Sequence, residues 1–290
     1  MSKNPISYEL SDGIATITID RPEAMNALNT AARDGLWAAF RRFVDEDEAL
    51  VAILTATGEK VFCAGGDLKE MSDNGLKIPP PDFLPYLNKN IHTNKPGIAA
   101  VNGLAYAGGF FLAQMCDLCI ASEGARFAIT EPKMGRGAPW AGPLPWLIPP
   151  RVAMELLITA KPISAQRAYQ VGLINQVVPL AELAAAARAM ATTIVQNAPL
   201  SVRAGKQMVY EVAELGWSEA LKAGDAAYEN VYLSEDAQEG PWHSRKNARR
   251  FGRHVRGNYH AIRRKHALMG HRWGAGHRAG FRPSGGRSGL

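Results

Sequence analysis

The residues best suited to chemistry lie between positions 99 and 135, in AAVNGLAYAGGFFLAQMCDLCIASEGARFAITEPKMG. Gly108-Gly109 opens an apolar segment, residues 110–115, that reads as the start of a helix. N–H groups at such a start lack an intrahelical acceptor and sit at the positive end of the helix dipole. They suit a carbonyl oxygen that becomes negative during a reaction. Gly-Gly before a helix also serves as a plain packing device. Glu131 follows the apolar run 127–129 and precedes Pro132. Beside an apolar wall its carboxyl group would be pushed toward neutrality, which suits general acid–base work. In the open it would be an ordinary solvated loop glutamate.

Positioning these groups requires strands and turns on both sides. Residues 98–101 read as a buried strand that Asn102-Gly103 ends. Residues 8–10 and 14–20 alternate as a hairpin across Ser11-Asp12-Gly13, and Arg21-Pro22 stops it. Residues 30–47 carry Leu36, Phe40, Phe43 and Val44 at helical spacing, with Asn29 or Thr30 as N-cap. Residues 50–57 and 117–121 are further strand candidates, and Pro79-Pro80-Pro81 marks an exposed loop. Strands alternating with helices in this way predict an α/β core. From residue 181 the chain reads as helical over 181–197, 200–213 and 218–234, broken at Pro199 and Gly216.

With 47% hydrophobic and 21% charged residues, the 290-residue chain has the composition of a globular protein able to bury a core. No run of eighteen apolar residues is present, and MSKNPISYEL lacks a basic-then-apolar signal pattern, so a membrane role is not expected. Cys63, Cys116 and Cys119 do not make a disulfide framework, and a reducing cytoplasm is the simple expectation. The net charge of +6 misleads. Residues 241–290 hold thirteen Lys/Arg and no Asp or Glu; the other 20 basic residues face all 27 acidic ones, a net of −7. The body of the protein is mildly acidic.

Several separate segments carry a resemblance to a known family: RPEAMNALN at residues 21–29, FCAGGDLKEM at 62–71, KPGIAAVNGLAYAGG at 95–109 and FAITEPKMG at 127–135. LITAKPISAQRAYQVGLINQVVP, residues 157–179, continues it. In this order they resemble the crotonase superfamily, the enoyl-CoA hydratase/isomerase family, over about residues 6–240. The resemblance implies an α/β spiral of ββα turns over residues 1–195, not a Rossmann sheet. It also implies a helical region, 196–240, that covers the active site and builds a homotrimer or hexamer. The substrate is then an acyl-CoA thioester, with coenzyme A as its carrier and no metal or nicotinamide. By motif position Gly66 and Gly108 supply the two N–H groups of an oxyanion hole, and Glu131 is the acid/base. Adenine and pantetheine are expected against Met25, Ala27 and Leu28 and against Ala64, Gly65, Asp67 and Leu68, with Asp67 pinning its loop.

The chain departs from the family pattern at two places near the site. Hydratases of the family carry a second Glu three residues after the second oxyanion glycine; here that residue is Phe111. Paired carboxylates let one orient and deprotonate water while the other delivers a proton. Phe111 can do neither and would keep water out. One Glu suffices to move a proton between two carbons, so double-bond isomerisation is favoured over hydration. The family loop PGxGGTQ is replaced by GAPWAGPLPW, residues 137–146. Trp140, Trp146 and three prolines make a stiff wall, suited to a large ring or aromatic acyl group, or else to packing at a subunit interface.

The remaining candidates are weaker. Cys116-x-x-Cys119 has the spacing of a redox pair or half a zinc site, but it lies in an apolar run without histidines and reads as core. His92 stands outside any motif, and no GxSxG or phosphate-loop signature is present. The family ending starts well at EDAQEG, residues 235–240, then breaks at Pro241-Trp242-His243. Residues 241–290 carry six of the seven histidines and many glycines, a composition that predicts disorder. A frameshift explains the break best. A basic arm for RNA or another polyanion, giving a crotonase-like scaffold that binds a partner, is the second explanation. Metal binding by the histidines is the third.

Overall fold

A computed structural model describes residues 4–235 and 237. The basic segment 241–290, with the frameshift, disorder and nucleic-acid readings attached to it, lies outside the described residues.

The first hairpin joins β1 (Ile6–Ser11) to β2 (Ile14–Ile19), antiparallel, across Asp12 and Gly13 at positive φ. A tight turn follows in which Met25 and Asn26 both have φ of 52°. The buried Asn26 amide justifies it by donating to Thr57 O at 3.0 Å and Val61 O at 2.8 Å. Then comes α1 (Thr30–Asp45), capped by Asn29, whose side chain accepts from Ala32 N–H at 3.0 Å. Its Leu36, Phe40 and Phe43 are buried, as their helical spacing predicts.

From here the chain repeats one manoeuvre three times: a long strand, a sharp corner, a short strand, then a helical turn. β3 (Val51–Ala56) is followed by β4 (Val61–Cys63) and α2 (Leu68–Asp73). β5 (Gly97–Val101) is followed by β6 (Leu104–Tyr106) and α3 (Gly108–Gln114). β7 (Leu118–Ser122) is followed by β8 (Arg126–Ala128) and a single 3-10 turn, Glu131–Met134. Two short helices, α4 (Leu144–Leu147) and α5 (Pro150–Thr159), lead to β9 (Ile163–Ser164), α6 (Ala165–Gln170) and β10 (Gln176–Val178).

The long strands form a six-stranded sheet in the order β1-β2-β3-β5-β7-β10, parallel beyond the first hairpin. The short strands form a second sheet, β4-β6-β8-β9, parallel except for β9. In both sheets sequence neighbours among the repeats are spatial neighbours, which makes the chain a spiral of ββα turns. Corner side chains hold the turns together: Asn102 Nδ2 donates to Gly58 O at 2.6 Å, and Ser122 Oγ donates to Asn102 O at 2.9 Å.

Both faces of the larger sheet are buried, so its strands read as nearly continuous apolar runs. Ile17, Leu54, Ala99 and Ala121 face the main core, where Phe40, Phe43, Phe62, Phe110 and Phe127 lie. Ile14, Val51, Ile53, Ile98 and Ile120 face the other way, onto Leu183, Ala187 and Ala191 of α7 (Leu183–Gln196). The first of the expected C-terminal helices thus closes the far side of the sheet. The last two, α8 (Pro199–Val212) and α9 (Trp217–Tyr232), form a hairpin beyond it. A buried ion pair pins α8: Lys206 Nζ lies 2.9 Å from Asp117 Oδ2, and Tyr210 OH donates to Asp117 Oδ1 at 2.9 Å. Cys116 and Cys119 are core side chains, and burial pushes the Cys119 thiol up to about 12.

The spiral closes tightly at Gly109. A Cβ there would overlap the Cys63 carbonyl group. Gly109→Ala is therefore expected to cost about 1–3 kcal/mol through overpacking. Urea unfolding checks it, and a variant as stable as the parent would contradict the contact.

Candidate active site

The three parallel strands β4, β6 and β8 lie side by side, and each ends in a residue singled out by the sequence. Gly66 comes three residues after β4, Gly108 two after β6 and Glu131 three after β8. Ligands gather outside the carboxyl ends of parallel strands because the chain there is free to turn and expose main-chain groups.

The Gly66 segment is held by Leu28, whose N–H donates to Gly65 O at 2.8 Å and whose carbonyl accepts from Asp67 N–H at 3.3 Å. These two bonds bracket Gly66 and leave its own N–H out of the bridge. Gly65 has φ of +100°, and a Cβ on it would lie 2.9 Å from Ala107 Cβ and 3.2 Å from Gly108 N. The two glycine segments are therefore in direct main-chain contact. Ala107 itself has φ of 48° and turns the chain from β6 into α3. Such a conformation costs a non-glycine residue about 1–3 kcal/mol and persists where surroundings enforce it. Gly108 is the first residue of α3, so its N–H has no intrahelical acceptor. With seven residues, α3 contributes a short dipole; the free N–H groups are the stronger asset.

Glu131 starts the 3-10 turn and is half-buried. Its Oε1 accepts a 2.9 Å hydrogen bond from Trp140 Nε1, while Oε2 is buried and without a partner among the described residues. Burial raises its pKa above the ordinary carboxylate value, and the main-chain N–H groups and the Trp140 indole only partly oppose this. Phe111, at the expected position of a second acid, is 4% exposed. Its ring meets Tyr86 at 4.8 Å and Trp140 at 6.0 Å, both edge-on.

These groups line a cavity of about 360 Å³. That size lies within the usual range for a small-molecule site. Ala64, Gly66, Leu68, Gly108, Phe111, Glu131 and Trp140 all contribute to its wall. Met25, Ala27, Leu28, Gly65 and Asp67 do not. Met25 is 58% exposed outside it, while Leu28 and Gly65 pack against Gly108. Asp67 caps α2 by accepting from Glu70 N–H at 3.3 Å and lies 3.4 Å from Arg21. Trp146, grouped with Trp140 as pocket wall or interface packing, lies outside this lining and is 75% exposed. The described lining includes no residue of α7, α8 or α9. Within the chain the cavity is walled by residues 79–90, through Pro79, Pro81, Phe83, Leu84, Tyr86, Lys89 and Asn90. The triple proline gave the signal for a loop there, not for a cavity wall. Arg136 fastens the loop by donating to Leu76 O and Lys77 O at 3.1 and 3.2 Å.

Gly66 and Gly108, whose N–H groups have no acceptor among the described residues, line one cavity with the shielded Glu131 carboxyl group, a set of groups that can stabilise an oxyanion and move a proton. The profile of the enoyl-CoA hydratase/isomerase family matches residues 9–250, most of the chain. This chain belongs to that family. Among the family's relatives, the carnitinyl-CoA dehydratase of Salmonella typhi is 39% identical over 238 residues, covering 79% of this chain and 90% of the relative. The structure of enoyl-CoA hydratase from Mycobacterium tuberculosis superposes with a TM-score of 0.78 at 35% identity, over 85% of this chain and 98% of that one. Enoyl-CoA hydratase from Bacillus anthracis gives a TM-score of 0.74 at 31% identity, over 83% and 96%. As an enoyl-CoA hydratase/isomerase family member, the chain is an acyl-CoA enzyme with the crotonase fold. No described helix is long and apolar enough to cross a membrane.

The raised Glu131 pKa has a stability consequence with a definite sign. Folding favours the protonated acid, so stability falls as pH rises through the folded-state pKa. Glu131→Gln removes the buried charge and keeps an acceptor for Trp140. The variant is expected to melt above the parent at neutral pH, with the difference vanishing below about pH 4. Parallel melting curves across pH check this, and a gap independent of pH would contradict it.

Proposed function

We propose that this enzyme moves a proton along an acyl-CoA thioester with one carboxylate, shifting a double bond in preference to adding water. Glu131 takes the proton from the α-carbon of a β,γ-unsaturated thioester. The electron pair delocalises onto the thioester oxygen, which the Gly66 and Gly108 N–H groups stabilise as it becomes negative. Glu131 then returns the proton to the γ-carbon, leaving the α,β-unsaturated product. Atoms and charge balance without a metal or nicotinamide; coenzyme A enters only as the thioester carrier.

The observation that carries this reading is Phe111, a buried aromatic where water addition calls for a second acid. Glu131 is the one carboxylate among the described lining residues. A second reading, hydration or its reverse with Glu131 serving alone, is supported by the names of the relatives, a carnitinyl-CoA dehydratase and enoyl-CoA hydratases. Assembly as a homotrimer or hexamer is supported by the apolar side chains that the α8–α9 hairpin exposes, Leu215, Trp217 and Leu221.

Glu131→Gln is expected to lower double-bond migration by about 10²–10⁴-fold, the usual worth of a general acid/base. Acyl-CoA thioesters should still raise the melting temperature of the variant, because binding to the native state stabilises it. Near-normal turnover by the variant would remove Glu131 from the reaction.

A further inference from the structure

Trp140 returns to Glu131 through a short, stiff excursion. The 3-10 turn ends at Gly135, with φ of 62°, and a second 3-10 turn, Pro139–Ala141, presents the indole. α3 clamps that indole from two sides. Its ring meets Phe110 at 5.5 Å and Phe111 at 6.0 Å, both edge-on. Its carbonyl accepts from Gln114 Nε2 at 3.0 Å. The donor that reaches Glu131 Oε1 is thus fixed in both main chain and side chain.

An indole N–H donates and never accepts. Oε1, held by it, serves as an acceptor in either protonation state, and because a carbonyl oxygen accepts better than a hydroxyl oxygen the bond favours placing the proton on Oε2, which is buried and without a partner among the described residues. We propose that Trp140 is a positioning residue that commits Oε1 to a permanent hydrogen bond and makes Oε2 the one proton carrier. The inference rests on Glu131 being the acid/base and extends it. Removal from the α-carbon and delivery to the γ-carbon then use one oxygen on one face of the acyl chain. Unlike a water-adding pair of acids, this arrangement needs no second group to relay the proton, and Phe111 becomes part of the clamp.

Trp140→Phe tests this, because it keeps a ring against Phe110 and Phe111 and removes the donor. Carboxyl-carbon NMR of glutamate-labelled protein, with the Glu131 signal assigned by its loss in Glu131→Gln, follows the titration without substrate. Losing a hydrogen bond to the ionised form is expected to raise the Glu131 midpoint by about one pH unit. The acid limb of the rate profile should rise with it, with kcat roughly tenfold lower and KM little changed, as for a loss felt only in the reacting state. A purely structural role predicts the opposite sign: a loosened, wetter pocket would lower the midpoint. A midpoint that stays or falls in a folded Trp140→Phe protein, with Glu131→Gln inactive, overturns the assignment of Trp140 alone. Full turnover by Glu131→Gln overturns the acid/base reading and this inference together.

Discussion

Parallel pairing of β4, β6 and β8 is the constraint on which the rest depends. Leu104 pairs with Val61 on one side and Arg126 on the other, so three successive turns of the spiral end at the same level. Gly66, Gly108 and Glu131 are neighbours because of that register, although 65 positions separate the first from the last. The approach is close enough that side chains are excluded between the turns. Gly65 touches the Ala107–Gly108 corner, and Gly109 touches Cys63. These glycines do no chemistry, yet they set how near the two main-chain donors can lie. The six-stranded sheet, buried between the main core and α7, holds the corners from which the short strands depart.

Around that frame the site balances burial against hydrogen bonding. Desolvation favours the neutral form of Glu131, while nearby main-chain N–H groups and the Trp140 indole favour the charged form. With its pKa raised above the ordinary carboxylate value, the Glu131 carboxyl group is better suited to taking a proton from carbon and returning it. Phe111 and Tyr86 line the chamber with aromatic surface, which sustains the burial, and Phe111 stands where a second acid would be needed for a two-carboxylate addition of water. The fixed donor and the missing second acid belong together. A single carboxylate that works alone gains from having one oxygen permanently occupied.

Much of this was legible in the sequence because it is local. The β1–β2 hairpin, α1 with its Asn29 cap, the strand that Asn102 ends and the break at Gly216 follow from alternation, helical spacing and turn chemistry. The motifs around Gly66, Gly108 and Glu131 pointed to the family, and the family profile bears that out. Trp140 was picked out as bulk in the pocket wall, but its bond to Glu131 depends on two 3-10 turns and on Gly135, which periodicity does not register. The covering segment 79–90 escaped for a related reason: it has no regular structure, and only its tertiary contacts make it a wall. Met25 and Asp67 show the converse. Motif position assigns them to the coenzyme A side, and the structure places them outside the described cavity wall, Met25 exposed and Asp67 beside Arg21.

The most direct test of the one-carboxylate account is a comparison of two reactions of the unaltered enzyme across a panel of acyl chain lengths and ring systems. One is double-bond migration in β,γ-enoyl-CoA thioesters; the other is water addition to their α,β-unsaturated isomers. The account predicts that migration reaches ordinary enzymatic turnover, roughly 1–1000 per second, while hydration of every member of the panel lags well behind. Rapid hydration with little or no migration would contradict it.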